Sequence, residues 1–165
     1  MLILPCGFVR AASNPFRAFN AGVETRSTSL PDELGRAPGV VTVALFSQVD
    51  CEFCLEVREH YLRPLAATRP EGLVIAEIEL GNTRALVGWR SLRTTHADFA
   101  RAHGVRFAPT VMFFNAQGRE LAPAIVGLSR DFFGAYLEAR IAQPRAAARH
   151  EAGAVRFLPP SPKAT

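Results

Sequence analysis

Two cysteines, in Cys51-Glu52-Phe53-Cys54, stand between the apolar run Val40–Phe46 and a segment with helical spacing. That placement constrains the fold more than the spacing does. Val40–Phe46 (VVTVALF) is a continuous, β-branched run, which predicts a strand buried on both faces. Ser47–Asp50 is a short loop, and Phe53, Val57, Tyr61, Leu62 and Leu65 mark a helix from about Cys51 to Ala67. Pro64 is expected to kink that helix or end its regular part. Unpaired N–H groups and the positive end of the helix dipole favour a thiolate at the helix start, where Cys51 lies. Cys54 is one turn further on, within reach for a disulfide. Cys51 therefore reads as the exposed nucleophile and Cys54 as the more buried resolving thiol.

The remaining pattern places this motif in one α/β unit. Leu73–Leu80 is the next strand, and residues 81–94 read as a loop or irregular insertion. Thr95–His103 is a helix with Thr95 as N-cap, Asp98 as its acid and Gly104 as the stop. Thr110–Phe114 and Glu120–Val126 are strands joined by a hairpin-type turn at Asn115–Gly118. A last helix, capped by Ser129, runs to about Ala142 and carries Phe132, Phe133, Tyr136, Leu137 and Ile141. The order β-α-β-α-β-β-α predicts one mixed sheet covered on both faces, within a domain at 39–142. Residues 1–38 read as an arm that holds Cys6 and a short helix from Ser29 to about Ala37. Its apolar start is either a secretory-signal remnant or an irregular arm packed on the domain. Residues 143–165, rich in Ala, Arg and Pro, read as a disordered or loosely attached tail.

Composition narrows the function classes. The net charge of +4 divides unevenly: residues 1–142 hold 15 Arg against 14 Asp and Glu, so most of the excess lies in the tail. No basic face with interleaved aromatics is legible, which argues against nucleic acid as a partner. No apolar run approaches the roughly 18 residues needed to span a bilayer, which argues against an integral membrane protein. Three cysteines are too few for a disulfide-stapled scaffold, so the Cys51/Cys54 pair calls for a chemical reason.

With Phe107-Ala108-Pro109-Thr110 directly before the strand TVMFF, the chain resembles the thioredoxin superfamily, and especially bacterial thioredoxin-like domains. The likeness rests on Asp50–Cys54, on His103-Gly104-Val105 leading to Pro109-Thr110, and on Phe113-Phe114 leading to Gly118. Leu121–Leu128 followed by Ser129–Phe133 completes it, over about residues 40–142. The resemblance implies a thioredoxin fold and a cis peptide before Pro109, facing the disulfide. It also implies that Ala108 offers backbone groups to an extended substrate peptide, with Glu52 and Phe53 contacting it. The implied activity is thiol–disulfide exchange with protein substrates, needing no metal or organic cofactor and supplied by an upstream dithiol protein. A monomer in the periplasm or outside the cell is expected, with a cytoplasmic location as the alternative; relatives of this shape maintain the thiols of secreted proteins.

The departures shift the expected chemistry. Asp50 replaces the usual Trp, and Glu52-Phe53 replaces Gly-Pro. Typical thioredoxins bury an acid in the strand before the motif, where this chain has Leu45. The proton-relay carboxylate is then missing, or supplied by Glu52, Glu56 or water. Asp50 and Glu52 oppose the helix dipole beside Cys51, so a reductant is favoured over a strong disulfide donor. Two rival readings remain open. One is a thioredoxin fold used only for binding. The other is a zinc site built from Cys51, Cys54 and His60, with His96 or His103 as a fourth ligand. The three histidines otherwise read as surface or satisfied helix residues, and Trp89 as a packing residue.

Overall fold

The central strand β1 (Val41–Ser47) is buried along its whole length, as its apolar sequence predicts. It pairs in parallel with β2 (Leu73–Glu79) and antiparallel with β5 (Thr110–Phe114), and β5 pairs antiparallel with β6 (Glu120–Val126). The resulting four-stranded order is β2-β1-β5-β6. These relations are those of a computed structural model, which describes residues 40–68, 72–115 and 117–155, with side chains to residue 146. The expected arm at 1–38, with Cys6 and its short helix, lies outside the described residues.

Alternation along the strands divides the core between the two faces of the sheet. Val41, Val43, Leu45, Leu73, Ile75, Val111 and Phe113 point to one face. They meet Val57, Leu62 and Ala66 from the motif helix and Phe133, Leu137 and Ile141 from the last helix. Ala44, Phe46, Ala76, Ile78, Met112 and Phe114 point to the other, where Leu86, Phe99 and Ala100 cover them. Each fully buried Val, Leu, Ile, Phe or Met among them contributes about 1.5–3 kcal/mol. The mixed sheet with helices on both faces is thus the architecture expected from the sequence.

The motif helix keeps its course past Pro64 by changing pitch. Helix α1 (Glu52–Glu56) runs into a π-helical segment, Val57–Leu62, and then into α2 (Arg63–Ala67). Within the wider turn the Arg63 N–H reaches back to the Arg58 carbonyl, five residues away. Pro64, which has no N–H and crowds the carbonyl four residues before it, falls just after that widening, in the first turn of α2.

Two expectations need correction. Residues 81–94 are not merely a loop: β3 (Ala85–Val87) and β4 (Arg93–Thr95) form an antiparallel hairpin around a 3-10 turn, Trp89–Ser91. Strands of three residues are too short to show a period, and Leu86, 1% exposed, anchors the hairpin in the core. Thr95 then caps α3 (His96–Ala102), its hydroxyl accepting from the Asp98 N–H at 3.1 Å, as its position predicts. The last helix, α4 (Phe133–Val155), does not end near Ala142 but runs on through Val155. Its Ala- and Arg-rich composition favours helix strongly enough to carry Pro144 inside it. Ser129 does not cap it by side chain; its carbonyl accepts the N–H groups of Phe132 and Phe133 in a preceding turn.

Trp89 packs against Phe114 and Phe99, at 5.4 and 6.1 Å between ring centroids, and over the β5–β6 turn. Gly118 in that turn has φ +78°, and a Cβ there would overlap the Trp89 ring. Gly118→Ala should therefore destabilise the protein by more than about 1 kcal/mol in urea unfolding, through backbone strain and lost packing together. His103 lies between Phe99 and Phe114, at 4.5 and 4.8 Å, and burial holds its pKa below the ordinary 6.5. The unfolded chain then binds a proton more readily than the folded one, so stability should fall as pH drops through that ordinary value. Thermal melts between about pH 7.5 and 5.5 should show the loss, and His103→Phe should reduce it.

Candidate functional site

Pairing of β1 with β5 sets Phe46 opposite Thr110, and β5 with β6 sets Thr110 opposite Val126. The loop to Cys51, the Pro109 segment and the turn after β6 therefore all leave the sheet at one end. The Gly127 N–H donates to the Pro109 carbonyl at 2.8 Å, and φ +76° at Gly127 lets the chain turn beneath it. The Ala108–Pro109 peptide is cis. Pro109 is buried, Ala108 half-buried and Phe107 exposed. No hydrogen bond to the Ala108 backbone occurs among the described residues.

Cys51 is the N-cap residue of α1, in extended conformation, and its Sγ accepts from the Cys54 N–H at 3.1 Å. The free donors of the helix start are thus aimed at this sulfur. Cys51 and Cys54 are joined as a disulfide, with their Cα atoms 5.2 Å apart. Cys51 is half-buried and Cys54 only 1% exposed. One sulfur faces the outside and the other the core. Asp50 and Glu52 flank Cys51 on the surface, Asp50 with φ +56°.

Leu45 is fully buried, as its place in the apolar run predicts. A carboxylate does lie beside it, on the neighbouring strand. Glu77, paired in register with Leu45, points to the same face beneath the motif helix. It is bound by one edge of the Arg58 guanidinium, Nε donating to Oε2 at 3.0 Å and Nη2 to Oε1. Both side chains are about nine-tenths buried. Sequence reasoning missed this pair. Its signal was Glu77 in phase with Leu73 and Ile75 on a buried face, which demands a cationic partner.

A second ion pair crosses the site at the surface. Arg130, in the turn before α4, donates through Nε and Nη2 to the two oxygens of Glu56, each at 2.7 Å. The arginine holds the Glu56 carboxyl below its ordinary pKa, and Glu56 in turn raises that of Arg130. The same guanidinium lies over the Phe53 ring, 5.8 Å from its centroid. Phe53 nevertheless stays 50% exposed.

The histidines are not gathered around the cysteines. His60 is exposed on the π-helical segment, and His103 packs between aromatic rings. His96, fully buried, accepts from the Glu79 N–H through Nδ1. No cluster of three or more metal-ligating side chains occurs among the described residues.

The thioredoxin-like domain family matches residues 35–140, which include the disulfide, the Pro109 segment and all four strands of the sheet. Among solved structures, a thioredoxin-fold protein from Helicobacter pylori superposes with a TM-score of 0.57 at 12% identity. The match covers 83% of this chain and 98% of that one. A Fasciola hepatica thioredoxin matches at 19% identity and a TM-score of 0.47, over 64% of this chain and 81% of its own. A mutant thioredoxin from Halobacterium salinarum matches at 24% identity and a TM-score of 0.43, over 61% and 74%. No curated protein matches in sequence. The match to the greater part of the chain, around a helix-capping Cys-x-x-Cys, makes this protein a member of the thioredoxin-like domain family.

Proposed function

We propose that the protein is a thiol–disulfide oxidoreductase that reduces disulfides in protein substrates. The observation that carries the reading is the asymmetry of the pair: Cys51 sits half-exposed at the helix cap and Cys54 is buried behind it. In the reduced protein, the Cys51 thiolate attacks one sulfur of a substrate disulfide. That S–S bond breaks, a mixed disulfide forms, and the leaving thiolate takes up a proton. Cys54, losing its proton, then attacks the Cys51 sulfur and releases the second substrate thiol. The protein is left as the Cys51–Cys54 disulfide. Two electrons have passed to the substrate, and a partner dithiol protein restores them.

The unpartnered backbone of Ala108, beside Pro109 at the same end of the sheet, suits an extended peptide held by main-chain bonds. Glu52 and Phe53, both exposed, flank the path of such a peptide. The negative charges of Asp50 and Glu52 work against the thiolate that the helix start favours, which is the reason for reading a reductant. Exchange needs no metal or organic cofactor. The proposed setting is the periplasm or cell exterior, with the cytoplasm as alternative, and the proposed unit is a monomer.

Cys51→Ser should abolish reduction of a model protein disulfide, and Cys54→Ser should accumulate a mixed disulfide visible by mass; full activity in Cys51→Ser sinks the reading. Equilibration in graded thiol–disulfide buffers should give a two-electron transition nearer about −270 mV than about −120 mV. A value at the oxidising end would reverse the proposed direction.

A further inference from the structure

Five exposed apolar side chains lie in the segments that leave the site's end of the sheet. They are Val49, Phe53, Phe107, Val126 and Phe132, with exposures from 50% to 70%. Phe53 lies under a cation, whereas Phe132 meets the Tyr136 ring, 6.2 Å between centroids. The Phe53 ring lies under the Arg130 guanidinium, which two hydrogen bonds to Glu56 orient. Tyr61 adds a third tie, its hydroxyl donating to the Arg130 carbonyl at 3.4 Å. An aromatic ring fixed in place before a ligand arrives binds without first losing rotamer freedom.

The charge around Phe53 decides what kind of group it receives. Arg130 is neutralised by Glu56 and offers no free cation to an acid. Asp50 and Glu52, exposed and without an ion pair among the described residues, repel one. Resting on the oxidoreductase reading, we infer that Arg130 is a positioning residue. It holds Phe53 as a rigid contact for an aromatic or long aliphatic side chain next to the substrate's cysteine. The substrate class is therefore a disulfide in an apolar, non-acidic segment.

The test reads binding rather than turnover, so its outcome is separable from that of the cysteine variants. Two short peptides carry Ser in place of the reacting Cys, one with Phe beside it and one with Gly. Each is titrated into the oxidised full chain and followed by amide chemical shifts. The Phe peptide should bind the unmodified protein about three- to tenfold more tightly than the Gly peptide, with the largest shifts near Phe53. In Arg130→Met and in Glu56→Gln that preference should fall to near unity, and Arg130→Lys, which keeps the charge but not the two-nitrogen bond to Glu56, should lie between. Glu56→Gln decides the matter should Arg130→Met fail to fold. No preference in the unmodified protein, or a preference untouched in the folded variants, overturns the inference. Loss of activity in neither cysteine variant would instead defeat the oxidoreductase reading while leaving this binding result standing.

Discussion

Strand β1 is hydrogen-bonded along both edges and packed on both faces, and that double confinement aims the disulfide. Because Phe46 lies opposite Thr110, and Thr110 opposite Val126, three separate stretches of chain reach the same end of the sheet. A slip of one residue between β1 and β5 would exchange their core faces and part Cys51 from Pro109. The apolar side chains on both faces oppose such a slip, each worth more buried than the register shift could recover. The site is precise because the strand beneath it has only one place to go.

Two ion pairs attach the motif helix to the rest of the fold, and their surroundings give them different weight. Arg58 and Glu77 are buried, so removing the guanidinium would leave the Glu77 carboxylate without its cation. Glu56 and Arg130 meet near solvent, where screening limits what the pair adds to stability. The surface pair matters through geometry instead. Its two parallel hydrogen bonds orient a planar group that in turn holds Phe53, a residue lying between the two cysteines in sequence.

Much of this was legible in advance because local rules and tertiary packing agree. Val40–Phe46 reads as a doubly buried strand and is one to within a residue; Thr95 and Asp98 read as a helix start and form it. The misreadings have physical causes. A three-residue strand such as β3 carries no periodicity, and it exists because Leu86 has a core to enter. The π-helical turn before Pro64 is a compromise between proline sterics and the burial of Val57 and Leu62, visible only once the sheet beneath them is in place. The last helix passes Ala142 because the Ala- and Arg-rich residues beyond it favour helix enough to carry Pro144.

The sequence alone determined the chemistry on offer: a Cys-x-x-Cys at a strand-to-helix junction, an X-Pro bond before a buried strand, and too few cysteines for a structural staple. These are local properties, set by what lies within a few residues of each cysteine. Only the tertiary structure decided which carboxylate lies under the helix and which arginine faces the phenylalanine. Glu77 is 19 residues from Arg58, and Arg130 is 74 from Glu56. Pairings at such separations follow from strand order and register, which bring distant residues together for reasons none of them carries in its own neighbourhood.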